Sequence, residues 1–360
     1  MIRYWKLLKI ILLVVPTPLF PLIRLFSKRP KLENSFFTTT EGKKVPLKIY
    51  HPPNLDVAPA IILFPGASPA AENHEGVNLL AKALASSGVR AFLPRIPALK
   101  KVLIQSDSIE HMINAYLTVS DRKDIDSKKI VGCGVSFGGS LFIKACLDDR
   151  INGKPASIIS YGSYFDFGDT LEFSITGKFS DGKKDFHLNP HDWGRTVFFY
   201  NYVRYVDEPF NMKKIEEYLY DQIINNGEKS KELWCSFSSK DKKFINTILY
   251  EKNEEAHRIT KKTLMKIKPI VMPLSPSSFI NKIDFPIYMM HGAQDNMIPY
   301  TETLKFAREL KIRGNKVHSF ISNLYSHSEI EHPKVRGINF ISELFRMGKF
   351  ISSMLRPVLE

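Results

Sequence analysis

From residue 59 to residue 147 the chain repeats one rhythm: a short continuous apolar run, a polar turn, then apolar positions three and four apart. Residues 59–64 (Pro-Ala-Ile-Ile-Leu-Phe), 89–94 and 129–131 are apolar runs of strand length, unbroken as in a sheet covered on both faces, and residues 156–162 add another. Residues 73–87 place Val77, Leu80, Ala81 and Leu84 on one helix face. Ile109, Met112, Ile113 and Tyr116 mark a second amphipathic helix, with Ser106 or Asp107 as its cap, and residues 141–147 open a third. Such alternation predicts a mostly parallel sheet with helices on both faces, an α/β fold. Ahead of it, residues 36–40 and 44–50 read as two strands joined at Glu41-Gly42.

The rhythm stops after residue 163. Residues 164–282 are aromatic, charged and helical in pattern, with Met212, Ile215, Leu219 and Ile223 on one face and a long polar helix expected around 241–268. A segment of that length is no loop. It reads as a largely helical cap inserted into an α/β core whose first part is 32–163 and whose second part is 283–360. The alternation resumes with a strand at 285–291, a helix at 301–312 with Leu304, Ala307 and Leu310 inward, and a last strand at 316–321. Within the cap, Phe198, Phe199, Tyr200, Tyr202 and Tyr205 either line an apolar acyl site or form the cap's own core; their pattern fits both.

The candidate chemistry sits where a strand meets a helix. Gly134-Val135-Ser136-Phe137-Gly138 puts one serine between two glycines, after the β-branched run Ile130-Val131 and before Leu141-Phe142-Ile143. A strand that turns straight into a helix holds its central residue in a strained conformation and needs small neighbours two positions away on each side. The hydroxyl of Ser136 then stands out at the top of the sheet as a nucleophile. The loop after 59–64, Pro65-Gly66-Ala67, is the place from which a backbone N–H can reach the oxyanion of an acyl-transfer intermediate, so Ala67 is expected to share that role with the N–H of Phe137.

His291-Gly292-x-x-Asp295-x-x-Ile298-Pro299 resembles the acid-bearing turn of the α/β-hydrolase family, particularly its dienelactone-hydrolase-like and prolyl-oligopeptidase-like esterases and peptidases. The resemblance covers roughly 45–163 and 283–350, leaving out the arm and the cap. It implies an α/β-hydrolase fold in which Asp295 orients a histidine. It also implies that the loop after the last strand, Tyr325-Ser326-His327-Ser328, delivers that histidine as His327, completing the order Ser136, Asp295, His327. His318, inside the strand, and His332, beyond the loop, are expected to be structural. Pro65-Gly66-Ala67 departs from the His-Gly that many relatives carry at the oxyanion loop. A serine nucleophile disfavours dehalogenase or epoxide hydrolase chemistry, which needs an attacking carboxylate. The expected activity is hydrolysis of a carboxylic ester, lipid-like esters included; an acyltransferase on the same triad and a catalytically silent, membrane-tethered interaction protein are the rivals. No cofactor is implied.

Composition adds little to the core but changes the reading of the N-terminus. The 360 residues carry a formal net charge of +14, and residues 1–31 alone hold Arg3, Lys6, Lys9, Arg24, Lys28, Arg29 and Lys31 with no acid. The remaining body has no basic stripe interleaved with aromatics, so nucleic acid is not an expected partner. Residues 10–23 are uncharged, but at ~1.5 Å per residue they would give only about 21 Å of helix against a ~30 Å hydrocarbon core. Pro16, Pro18 and Pro21 interrupt them, and no small-x-small cleavage site follows. An uncleaved anchor or interfacial segment at an anionic membrane surface is therefore expected, ahead of a cleaved signal or an arm packed on the protein. Its orientation is unreadable, because basic residues flank both sides. The three cysteines, Cys133, Cys146 and Cys235, show no paired spacing. His187-x-x-x-His191 has ligand-like spacing, but Pro190 opposes a helix there and no third ligand is evident, so no metal is expected.

Overall fold

A computed structural model describes residues 2–14, 28–207, 210–324 and 338–360. The described chain begins with helix α1 (Ile2–Val14) and an edge hairpin, β1 (Lys31–Thr38) and β2 (Lys44–His51). Then come β3 (Ala58–Phe64), α2 (Glu75–Ser86), β4 (Arg90–Pro94), α3 (Asp107–Ser120), β5 (Ile125–Val135), α4 (Phe137–Ala145) and β6 (Ser157–Tyr161). After an insertion the sheet is completed by β9 (Ile287–Gly292), α11 (Thr301–Ile312) and β10 (Val317–Ser322), and α12 (Ile338–Met354) and α13 (Arg356–Leu359) end the chain.

The eight main strands lie in the order β1-β2-β4-β3-β5-β6-β9-β10. The pairs from β4 to β10 are parallel; β2 runs against both of its neighbours. The apolar runs serve two faces at once. Along β3, Ile62 and Phe64 point into the core shared with α3 and α4, whereas Ile61 and Leu63 point to the opposite face, where Ala81 and Leu84 of α2 cover them. A two-residue period hidden inside an all-apolar run is what burial on both sides requires. The edge hairpin starts earlier than its hydrophobic pattern suggests, at Lys31, because Asn34 and Ser35 pair across to Lys48 and Leu47 through backbone alone.

The insertion holds α5 (Phe167–Thr176), a small hairpin of β7 (Lys178–Ser180) and β8 (Asp185–His187), α6 (Asp192–Tyr202), α7 (Met212–Ile224), α8 (Ser230–Cys235), α9 (Ser239–Leu249) and α10 (Glu254–Val271). The single polar helix expected around 241–268 is two helices. A Ser238 capping box starts α9, and the Asn253 side chain accepts the Ala256 N–H to start α10, so the chain changes direction between them. The insertion leaves and rejoins the core at one knot. The Tyr164 hydroxyl donates to Leu274 O (3.1 Å), Ser277 Oγ donates to Asp166 Oδ2 (2.6 Å), and Glu302 of α11 accepts the N–H groups of Phe165 (3.1 Å) and Asp166 (2.8 Å). Phe198, Phe199 and Tyr202 belong to the same buried cluster as Phe64 and Phe142, so the insertion's core is continuous with that of the sheet.

At the other face, α1 lies on the body: Leu7, Ile10 and Leu13 are buried against the cluster that holds Ala81, Ala85, Leu355 and Val358. Among the described residues no helix is long and apolar enough to cross a membrane.

Candidate active site

Ser136 directly follows β5 and precedes the first residue of α4, and its backbone is in a strained conformation, φ 52° and ψ −129°. A non-glycine residue there costs on the order of 1–3 kcal/mol and persists only where its surroundings over-determine it. Here the Ser136 N–H donates to Tyr161 O at the end of β6 (2.7 Å), and Ser136 O accepts the Gly139 N–H (3.0 Å). The flanking glycines are sterically obligatory. A Cβ on Gly134 would stand 2.5 Å from Gly138 O, and one on Gly138 would stand 2.1 Å from Pro65 O. Gly139 is crowded too: a Cβ there would stand 2.9 Å from Gly134 O and 2.0 Å from Ser163 Oγ, a side chain of the loop after β6 that lies outside the local motif.

The loop after β3 comes up against this turn. A Cβ on Gly66 would lie 3.0 Å from Ser136 Cβ and 3.2 Å from Val135 O, so the main chain of the loop after β3 passes beside the nucleophile. Phe137 is the first residue of α4, where backbone N–H groups have no intrahelical acceptor and the helix dipole favours negative charge. No described acceptor takes the N–H of Phe137 or of Ala67. The loop is braced from behind: Ser68 N–H donates to Leu99 O (3.0 Å), Lys100 Nζ donates to Pro69 O (3.1 Å), and Arg95 donates from Nε and Nη2 to the buried Glu72 Oε1 (2.8 and 2.5 Å). Burial alone would push the Glu72 carboxyl up; the hydrogen bonds and charge of Arg95 outweigh it and hold the group below the usual carboxylate range.

Asp295 lies in the turn after β9, almost fully buried. Its Oδ1 accepts the N–H groups of Met297 and Ile298, both at 2.9 Å, and its Oδ2 is 3.2 Å from His291 Nε2. The His291 ring is itself pinned, with Nε2 2.9 Å from Ile298 O and Nδ1 2.8 Å from Thr303 Oγ1. Because a carbonyl only accepts, Nε2 carries the proton that bonds Ile298 O. His291 is thus fully buried with both nitrogens engaged, which suits it to hold the Asp295 turn and not to serve Ser136 as a base. The sequence pattern contained His291 only as part of a motif; its role depends on Thr303, twelve residues away on α11.

One strip of hydrogen bonds links these parts along the C-terminal edge of the sheet. After the Ser136 to Tyr161 bond, Gly162 N–H donates to Met290 O (2.8 Å), and Ala293 N–H donates to Ser322 O (2.7 Å) at the end of β10. Ser136, the Gly66–Ala67 loop and Asp295 therefore share one edge. His327 lies five residues beyond Ser322, outside the described residues, as does His332. His318 stacks on Tyr288 with ring centroids 4.7 Å apart. Above the edge, Phe137 packs on Tyr164 and Phe167, and Phe167 on Tyr202, with centroids 5.1, 5.7 and 6.4 Å apart. His191, which caps α6 and is exposed, donates its N–H to Asn296 O (2.9 Å), so the insertion also touches the Asp295 turn. Among the described residues no cluster of three metal-ligating side chains occurs. A cleft lined by Asp284, Arg313 and Lys316 lies at the opposite edge of the sheet and involves none of these residues.

No family model matches the chain, and no curated protein sequence matches it. Solved structures do. The uncomplexed acylaminoacyl peptidase of Pyrococcus horikoshii aligns over 96% of this chain with TM-score 0.53 and 15% identity. The complex of DcsB with its substrate analogue aligns over 90% of this chain and 99% of its own, with TM-score 0.51 and 15% identity. A puromycin hydrolase aligns over 91% of this chain and 39% of its own, with TM-score 0.50 and 12% identity. The chain spans less than half the length of the peptidase chains it matches, 44% in each of the two acylaminoacyl peptidase structures. Together with the strand order, these likenesses define the class: the protein has the α/β-hydrolase fold.

Proposed function

We propose that the protein is a serine hydrolase that cleaves a carboxylic ester through an acyl-enzyme on Ser136. The observation that carries the proposal is the strained Ser136 at the head of α4 with the Gly66 backbone directly beside it. In this reading Ser136 Oγ attacks the substrate carbonyl while His327 takes the proton, Asp295 accepts the N–H of that histidine, and the N–H groups of Phe137 and Ala67 stabilise the oxyanion. His327 then protonates the leaving alcohol, and water repeats the sequence on the acyl-enzyme.

Amide hydrolysis is the second reading, favoured by the likeness to an acylaminoacyl peptidase, a name that describes peptide cleavage by that protein. Transfer of the acyl group to an alcohol in place of water is a third outcome of the same intermediate. Labelling by a fluorophosphonate probe tests the common core: the wild-type protein labels, and Ser136→Ala does not. A series of p-nitrophenyl esters of rising chain length, set against matched p-nitroanilides and run with and without an alcohol acceptor, separates the three. A Ser136→Ala variant that still turns over esters overturns the proposal.

A further inference from the structure

We propose that α1 and α12 form an interfacial membrane-binding face, in which α1 lies flat on an anionic bilayer with one side docked on the protein and the other in lipid. Helix α1 carries apolar residues on both of its sides, yet the body covers only one. Leu7, Ile10 and Leu13 face inward, while Tyr4, Trp5 and Leu8 are 57%, 67% and 44% exposed. Trp5, Leu8 and Leu12, at helical spacings of three and four, line the outer side.

The two lysines do not screen that side, and Arg3 lies over the Tyr4 ring, 5.0 Å from its centroid. Lys6 Nζ donates to Leu359 O (3.1 Å), Lys9 Nζ donates to Ser86 O (2.6 Å) and Arg3 donates to Glu360 Oε1 (2.8 Å). The two lysines thus reach inward to carbonyls at the C-terminal ends of α13 and α2, where helix dipoles favour cations. What remains outward is a tryptophan, a tyrosine and aliphatics, the side chains that settle at a membrane interface. Helix α12 packs beside α1 and repeats the pattern. Its inner residues Met347, Phe350 and Ile351 meet Met290 and Phe320, while Ile341 and Phe345 are 67% and 74% exposed beside the exposed Arg346 and Lys349.

Charge selects the occupant. Lys28, Arg29 and Lys31, with Arg346 and Lys349 of α12, are exposed basic side chains and residues 1–31 hold no acid, which complements anionic headgroups and would repel its own image across a two-fold interface between copies. At ~1.5 Å per residue, α1 is about 20 Å long, too short to span and long enough to lie in the interfacial plane.

The test uses the full chain and does not depend on the hydrolytic reading. Co-sedimentation is measured with phosphatidylcholine vesicles with and without phosphatidylglycerol, at low and high salt, for the wild type and for Trp5→Ser/Leu8→Ser/Phe345→Ser. Wild type is expected to prefer the anionic vesicles and to weaken with salt, and the triple variant to lose at least about tenfold in affinity. Should the triple variant fold poorly by circular dichroism, Trp5→Gln alone must weaken binding by at least about threefold. Vesicle binding that the substitutions leave unchanged overturns the proposal. So does wild-type protein that ignores both vesicles, whether monomeric or in a self-association that the same substitutions abolish.

Discussion

Replacing Gly138 by alanine isolates the geometry of the nucleophile turn from any assumption about substrate. The added Cβ would stand 2.1 Å from Pro65 O, 2.9 Å from Pro65 C and 3.3 Å from Phe64 O, whereas ordinary contact begins near 3.4 Å. Both partners are backbone, so no side chain can swing aside, and α4 and the loop after β3 must separate by roughly an ångström. Overpacking of this kind costs about 1–3 kcal/mol in stability. The catalytic cost is expected to be larger, because the separated segments carry the two proposed oxyanion donors, Phe137 N–H and Ala67 N–H. A misplacement of about 1 Å at reacting groups lowers rates by on the order of 100-fold. The assay is the rate of fluorophosphonate labelling and kcat/KM on a short p-nitrophenyl ester, beside urea denaturation. Gly348→Ala serves as control: the new methyl meets nothing within 4 Å inside α12, so stability should hold or rise by up to about 1 kcal/mol, with activity unchanged. A Gly138→Ala protein that labels within about twofold of wild type, at unchanged stability, would refute the close approach of the two loops and the oxyanion hole built on it.

Three further substitutions probe the surroundings. Asp295→Asn keeps an oxygen for the Met297 and Ile298 N–H groups but cannot hold an imidazolium; kcat should fall by roughly three orders of magnitude or more with little loss of fold, and near-normal kcat would remove Asp295 from the triad. Glu72→Gln loosens Arg95 behind the oxyanion loop, and the expected signature is a lower kcat at nearly constant KM; a change confined to KM would place that loop in ground-state binding instead. Glu302→Gln concerns pH. Burial pushes the Glu302 carboxyl up in the folded chain, so as pH rises past the ordinary carboxylate value of ~4.3 the unfolded chain ionises first, and stability is drained until the folded pKa is passed. Glutamine cannot ionise. Urea denaturation should therefore show Glu302→Gln gaining on wild type as pH climbs from about 4 towards 7, and a difference independent of pH would contradict the buried, raised carboxyl.

How far the sequence carried depended on whether the determining contacts were local. The Ser136 turn was legible because a strand entering a helix imposes its glycines within four residues, and the 301–312 helix because its apolar spacing repeats without interruption. Gly139 was less so, since the nearest atom that crowds a side chain there, Ser163 Oγ, arrives from the loop after β6. The break between α9 and α10 lay partly in view, because Asn253 is a good cap, whereas Pro269, which the structure keeps inside α10, carries that helix past the end expected at 268.

By itself, then, the sequence determined the alternation of strand and helix, the serine turn, the acid-bearing turn and the basic apolar N-terminus, each written in residues close together along the chain. Tertiary structure alone decided that Gly66 lies beside Ser136, that His291 is locked by Thr303 and Ile298 and so cannot be the base, and that the aromatic residues of the insertion share the core of the sheet. It also decided which way the N-terminal helix turns. Lys6 and Lys9 find their acceptors 353 and 77 residues away, at helix ends that hydrophobic periodicity cannot bring together, and that pairing is what leaves Trp5 and Leu8 facing outward.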